Sequence, residues 1–146
     1  MTIRYVHDYI INNASYDTTV AGTNIYNIYG ALVNKSTVCE GYAKAFKFVL
    51  DQIGIESIFI FGTGINKQGE NEVHSWNYVK IDDNWYAVDV TWDDPIIIGG
   101  GTLTDEFRYR YFLKGSNDFN KDHVADGKII NGVKFYYPDL SVNNYK

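Results

Sequence analysis

A chain of 146 residues is the size of one domain and can bury a core without disulfide or metal staples. Its 45% hydrophobic and 21% charged residues are globular composition, and a formal charge of −5 with no cluster of Lys and Arg argues against nucleic acid as a partner. No apolar run approaches the roughly 18 residues of a membrane span, so membrane insertion is not expected.

The opening MTIRYVHDYIINNASYD lacks the charged start, long apolar run and small-residue cleavage site of a secretory signal. Residues 1–146 therefore read as one soluble domain, of a kind that a longer secreted or cell-surface protein can carry. Thirteen tyrosines, 8 phenylalanines and 3 tryptophans are many for this length, so a core, a cleft or a partner surface has to absorb them.

Ile3, Val6 and Ile10 recur at helical spacing until Asn12-Asn13-Ala14-Ser15, which predicts a short amphipathic helix with His7 at its partly exposed edge. From Tyr16 to Lys35 the chain is rich in Asn, Thr and Gly and reads as a loop carrying one short helix. The apolar stripe Val38, Tyr42, Ala45, Phe46, Val49, Leu50 and Ile53, closed by Gly54, predicts a helix over about 38–53.

The β-branched and aromatic run at 55–61 predicts a strand ending at Gly62, followed by a polar loop over 63–72. Val73 to Ile81 and Trp85 to Trp92 predict an antiparallel hairpin turning at Asp82-Asp83-Asn84. Beyond Pro95, Gly99-Gly100-Gly101 reads as a hinge, the alternating 107–113 run as a half-buried strand, and 132–137 as a last strand.

The single cysteine lies in the stretch VCEGYAKAF. Thr37-Val38-Cys39-Glu40 fits a capping box and places Cys39 at the second helical position, where free backbone N–H groups and the helix dipole favour an anion. A lone cysteine more often packs as a small hydrophobe, so a nucleophile needs a base nearby. Of three histidines, His7 belongs to the first helix and His123 to a polar segment resembling a solvated loop or a cleft rim. His74 opens a strand, and the apolar run 15 residues later is interrupted by Asp89.

A carboxylate buried in a strand needs a partner. With an even hairpin loop, such as Asp82-Asp83, Trp76 faces Asp89 and His74 is its diagonal neighbour on the same face; an odd loop would separate them. Diagonal Cβ atoms lie about 7–8 Å apart, so twist or a bulge has to close the gap. The parts of a thiol site are then present: Cys39 as nucleophile, His74 as base and later acid, and Asp89 as orienter.

The blocks YVHDYIINNASYD, STVCEGYAKAFKFVLDQIGIES and EVHSWNYVKIDDNWYAVDVTWDDP, covering most of residues 3–95, resemble the transglutaminase-like domain of the transglutaminase/papain-like cysteine enzyme superfamily. The resemblance implies an α+β, papain-like fold with a nucleophile-bearing helix packed on an antiparallel β-sheet. It also implies that Cys39, His74 and Asp89 match the family triad. Members include crosslinkers joining Gln to amines, peptidases, other amidases and inactive forms, so the expected chemistry is acyl transfer or hydrolysis on protein or peptide amides. The alternative is a silent module that holds a peptide or glycan in an aromatic cleft.

For the oxyanion, the Cys39 backbone N–H is the first expected donor, with Tyr29, Trp76 and Asn77 as side-chain candidates that can equally serve packing. Asp93-Asp94 reads as turn chemistry without calcium-loop spacing, and the histidines are dispersed around one cysteine, so no metal or cofactor is expected. The expected partner is a protein or peptide substrate.

Overall fold

The computed structural model describes residues 1–95, 101–126 and 128–146; Gly99 and Gly100 of the expected hinge lie outside the described residues. Helix α1 (Thr2–Asn13) buries Ile3, Val6, His7, Ile10 and Ile11 and exposes Tyr5 and Tyr9. Strands β1 (Ser15–Tyr16) and β2 (Ser36–Thr37) pair in parallel on either side of a loop that contains one π-helical turn, Gly30–Asn34. Helix α2 (Cys39–Gln52) follows, packed between α1 and the sheet.

The sheet has the order β5-β4-β3-β6 and every pairing in it is antiparallel, with β3 Ser57–Ile65, β4 Asn71–Ile81, β5 Asn84–Val88 and β6 His123–Ala125. Two clusters cover its faces. Val79 and Val88 meet Phe46 and Leu50 of α2 and Ile3, Val6 and Ile10 of α1. Ile60, Trp76, Tyr78 and Ala87 instead surround Phe119. Phe119 comes from a second short helix after the sheet, α4 (Ser116–Phe119), the first being α3 (Asp105–Arg108). With both faces covered, every residue of β4 from His74 to Val79 is buried. A small antiparallel pair, β7 (Lys128–Ile130) and β8 (Val133–Phe135), stands apart, and β8 lies within the last strand read at 132–137. The α+β fold with a helix packed on an antiparallel sheet is the one the sequence implied.

Four local expectations are corrected. The capping box does not form: Val38 is the N-cap, and the Thr37 hydroxyl, drawn into β2, donates to the Ile25 carbonyl at 2.6 Å. Cys39 is therefore the first helical residue, and Glu40 pairs with Lys44 at 2.7 Å. Strand β3 does not stop at Gly62 but runs on to Ile65, because Gly62 and Gly64 permit close approach rather than a turn. A side chain at Gly62 would strike the Val124 carbonyl and the Trp76 ring.

The segment 107–113 is not a strand. Thr104-Asp105-Glu106 starts the short α3 instead, and extended pairing is limited to Lys114, which exchanges hydrogen bonds with Ala87. Its aromatic alternation reflects two destinations: Tyr109 donates to Asp8 of α1 at 2.7 Å, and Tyr111 donates to Asp122 at 2.7 Å. Finally, His7 is wholly buried, with Nε2 2.9 Å from Asp93 and Nδ1 3.0 Å from Asp8.

Gly41 sits where α2 crosses Thr37, and a methyl there would collide with the Thr37 hydroxyl and the Ile25 carbonyl. Overpacking against fixed backbone outweighs the better helix propensity of alanine. Gly41→Ala is expected to lower the unfolding free energy by about 1–3 kcal/mol in urea titrations; a neutral or stabilising result would show that this contact yields freely.

Candidate active site

Three parts of the chain converge beside one cavity. Cys39 begins α2 and is half-buried, His74 lies early in β4, and Asp89 is the first residue after β5. The hairpin register pairs Ile81 with Asn84 across a two-residue turn in which Asp82 and Asp83 have φ of 49° and 65°. This is the even loop that places His74 and Asp89 on one face, and both residues accept the left-handed backbone a tight hairpin requires. The remaining gap is closed by a turn. β5 ends at Val88, and Asp89 Oδ1 accepts the Trp92 N–H at 3.0 Å while Oδ2 reaches His74 Nε2 at 2.6 Å.

With Nε2 engaged by Asp89, the other ring nitrogen of His74 is left for the Cys39 thiol, which lines the same cavity and adds to the lift on the imidazole. Trp92 stacks on the imidazole, centroids 4.7 Å apart, in space that Gly64 leaves free: a Cβ there would lie 2.8 Å from the indole. Burial alone would push His74 towards neutrality, but the charge and hydrogen bond of Asp89, aided by Cys39, lift it to about 10. Burial opposes the charge on Asp89 too. His74 and His123 overcome that penalty and hold its carboxyl well below the usual range.

His123 corrects the reading of a solvated loop: it lies in β6, is buried, and places Nε2 2.7 Å from the same Asp89 oxygen. The sequence signal for it is faint, since a three-residue strand has no readable period; only the aromatic neighbour Phe119, stacked on it at 3.8 Å, hints at burial. His74, Asp89 and His123 thus bring together what looked dispersed, their candidate ligand atoms lying within 4.8 Å of one another. Separations of 2.6 and 2.7 Å are hydrogen bonds, shorter than the roughly 3.3 Å expected between donors held tetrahedrally around an ion such as zinc.

The cavity encloses about 650 Å³, within the range of small-molecule and peptide-end pockets. Cys39 and His74 line it together with Tyr16, Trp92, Arg110 and Asp122. Tyr29, Trp76 and Asn77 are not among its lining residues. Tyr29 is half-exposed at the π-helical turn, Trp76 packs on Phe119, and the Asn77 amide donates to the Ala43 carbonyl in α2 at 3.0 Å. Two tyrosines do reach the cavity, Tyr111 and Tyr16, the latter drawn beside α2 by its pairing with Thr37 and stacked on Tyr42. Burial, then the charge of Cys39, raises the Tyr16 phenol, so the hydroxyl stays a donor.

Asp93 and Asp94 lie in the turn region beyond β5, as buried and half-buried acceptors. Asp93 receives His7 and the Tyr111 N–H at 2.8 Å, and Asp94 receives the Tyr42 hydroxyl at 2.6 Å. Burial raises Asp93 to about 6, against the pull of His7.

The fold agrees with the comparisons to known proteins. Residues 2–90 match the model of the transglutaminase-like superfamily, and the chain belongs to that superfamily. Over 141 aligned residues it is 27% identical to the kyphoscoliosis peptidases of Homo sapiens and Mus musculus, covering 86% of this chain and 21% of each relative. The chain thus spans about a fifth of the length of these curated relatives. The crystal structure of a TGase superposes on 74% of this chain and 30% of its own, with a TM-score of 0.50 at 16% identity, a likeness of fold. Among the described residues, no helix is long and apolar enough to cross a membrane.

A histidine raised in the folded state adds stability that is complete below its ordinary 6.5 and lost as pH rises through about 10. The unfolding free energy of the parent relative to His74→Gln should therefore fall steadily across that window in denaturant titrations. A difference independent of pH between 6.5 and 10 would mean that His74 is not held charged.

Proposed function

We propose that residues 1–146 act as one transglutaminase-like domain catalysing thiol-dependent acyl transfer or hydrolysis on protein or peptide amides. The observation that carries this reading is the His74 ring, bonded through Nε2 to Asp89 at 2.6 Å, at the wall of an open cavity that the Cys39 thiol lines with it.

In the proposed cycle the Cys39 thiolate attacks the carboxamide or peptide carbonyl, and the His74 imidazolium donates its proton to the departing nitrogen. This leaves a Cys39 thioester, free amine or ammonia, and a neutral imidazole. Water or a second amine then attacks the thioester, His74 takes its proton, and the thiolate leaves. Asp89 holds the ring and balances the imidazolium. The developing oxyanion is served by the Cys39 backbone N–H and the Tyr16 hydroxyl, since Tyr16 lines the cavity and feels the charge of Cys39. Hydrolysis and transfer differ only in the acceptor, and the names of the relatives, a peptidase and a TGase, span both outcomes.

The test is the rate of Cys39 alkylation by iodoacetamide against pH in the parent, His74→Ala and Asp89→Asn. At pH 6.5 the parent should react at least about tenfold faster than His74→Ala, as expected when a positioned histidine holds the thiolate. Superimposable profiles would sink the triad. Ammonia release from Gln-containing proteins and cleavage of a peptide library, each with and without added primary amine, then separate transferase from hydrolase.

A further inference from the structure

The grip on His123 is unlike that on His74. Its Nε2 lies 2.7 Å from Oδ2 of Asp89 and its Nδ1 lies 2.7 Å from Oδ1 of Asp122. An ionised carboxylate only accepts hydrogen bonds, whereas a neutral imidazole carries one N–H. In the neutral form one of these short contacts would set a nitrogen lone pair against a carboxylate oxygen.

Both carboxylates are provided for as anions. Asp89 also receives His74 and the Trp92 N–H, and Asp122 also receives the Tyr111 hydroxyl. The ring is enclosed by Phe119, Trp92 and Trp76 at centroid distances of 3.8, 4.6 and 4.9 Å, which exclude water and offer π faces to a cation. The titratable groups facing it are Asp89 after β5, Asp122 beside it, His74 from β4, Tyr111 by direct ring contact and, through Asp122, the cavity residue Arg110; β3 presents Gly64, which has no side chain.

We propose that His123 is held as an imidazolium between Asp89 and Asp122 and that, by sharing Oδ2 of Asp89 with His74, it limits the proton affinity of His74. On the thiol chemistry proposed above, on which this inference rests, His123 is a positioning residue that keeps His74 able to release its proton to the leaving nitrogen. Asp89 taken alone would bind that proton too firmly. A second positive charge 5.8 Å away between ring centroids draws on the same carboxylate and weakens the hold. The Asp122 and Asp89 contacts raise His123 against the effect of its burial, in agreement with the geometry.

The sign of one titration separates this role from a merely structural one. In a Cys39→Ala background, which removes the thiol from the balance, the ring nitrogens of ¹⁵N-histidine-labelled protein are followed by long-range ¹H–¹⁵N correlation with and without His123→Phe. Removing a neighbouring cation should move the loss of the His74 proton to higher pH by about one to two units. If His123 only braced Asp89, its removal would weaken the His74 pairing and move that titration to lower pH. A fall or no change overturns the proposal.

In the Cys39→Ala protein itself, both nitrogens of His123 should be protonated at neutral pH; a single N–H there also overturns it. Should His123→Phe fail to fold, Asp122→Asn carries the test, because its side chain is partly exposed and the ring remains in place. His123 should then release its second proton at least about one unit lower than in the parent, and an unmoved titration counts against the proposal. None of these readouts uses Cys39, so they stand or fall separately from the alkylation profiles.

Discussion

The carboxylate of Asp89 is the constraint around which the rest of the site is arranged. It is fully buried, and an unpaired charge in such a place would cost several kcal/mol. Its partners come from different parts of the chain: His74 from β4, His123 from β6 and the Trp92 N–H from its own turn. Satisfying one anion therefore docks the short edge strand β6, closes the turn after β5 and orients the imidazole beside Cys39. Strand β6 pairs with β3 over only three residues, Gly62 to Gly64, and the bond to Asp89 adds a buried side-chain tie to that short pairing. The two glycines opposite β6 and Trp92 leave the room this convergence needs.

The same turn carries a second carboxylate with the opposite behaviour. Asp93 follows Asp89 by one helical turn, its N–H bonded to the Asp89 carbonyl at 3.1 Å, yet Asp89 is held ionised while Asp93 is raised to about 6. Both are buried, so desolvation does not distinguish them. The partners do. Asp89 has two imidazoles on one oxygen, whereas Asp93 has His7 alone and sits in the negative field of Asp89. One carboxylate is thereby assigned to the charge balance beside the thiol, and the other ties α1 to the segment around Tyr111.

The parts of this arrangement visible in the sequence are those set by local periodicity. The stripe from Tyr42 to Leu50 specifies α2, and the two-residue turn Asp82-Asp83 fixes the parity that puts His74 and Asp89 on one face. What was not visible depends on contacts without a period. Tyr16 reaches the cavity through a two-residue parallel pairing, and Tyr29, closer in sequence to Cys39, turns outward on a π-helical turn. His123 lies in a largely exposed polar stretch, and its ring turns inward against Phe119. The run at 107–113 looked like a strand because its aromatics serve two separate neighbours, Asp8 and Asp122.

A thiol site of this kind makes two demands on one imidazole. It must hold its proton in the resting state, to balance the nucleophile, and give it up when the leaving nitrogen departs. Burial favours release and Asp89 favours retention, and with Asp89 prevailing the resting ring is an imidazolium at neutral pH. A stronger or more exclusive carboxylate would secure the imidazolium at the expense of proton donation; a weaker one would leave the ring neutral. Dividing a single carboxylate oxygen between two rings is a physical route between these limits. It needs no extra mobile group near the substrate, because the second ring and the Asp89 carboxylate are buried and do not line the cavity that Cys39 shares with Tyr16.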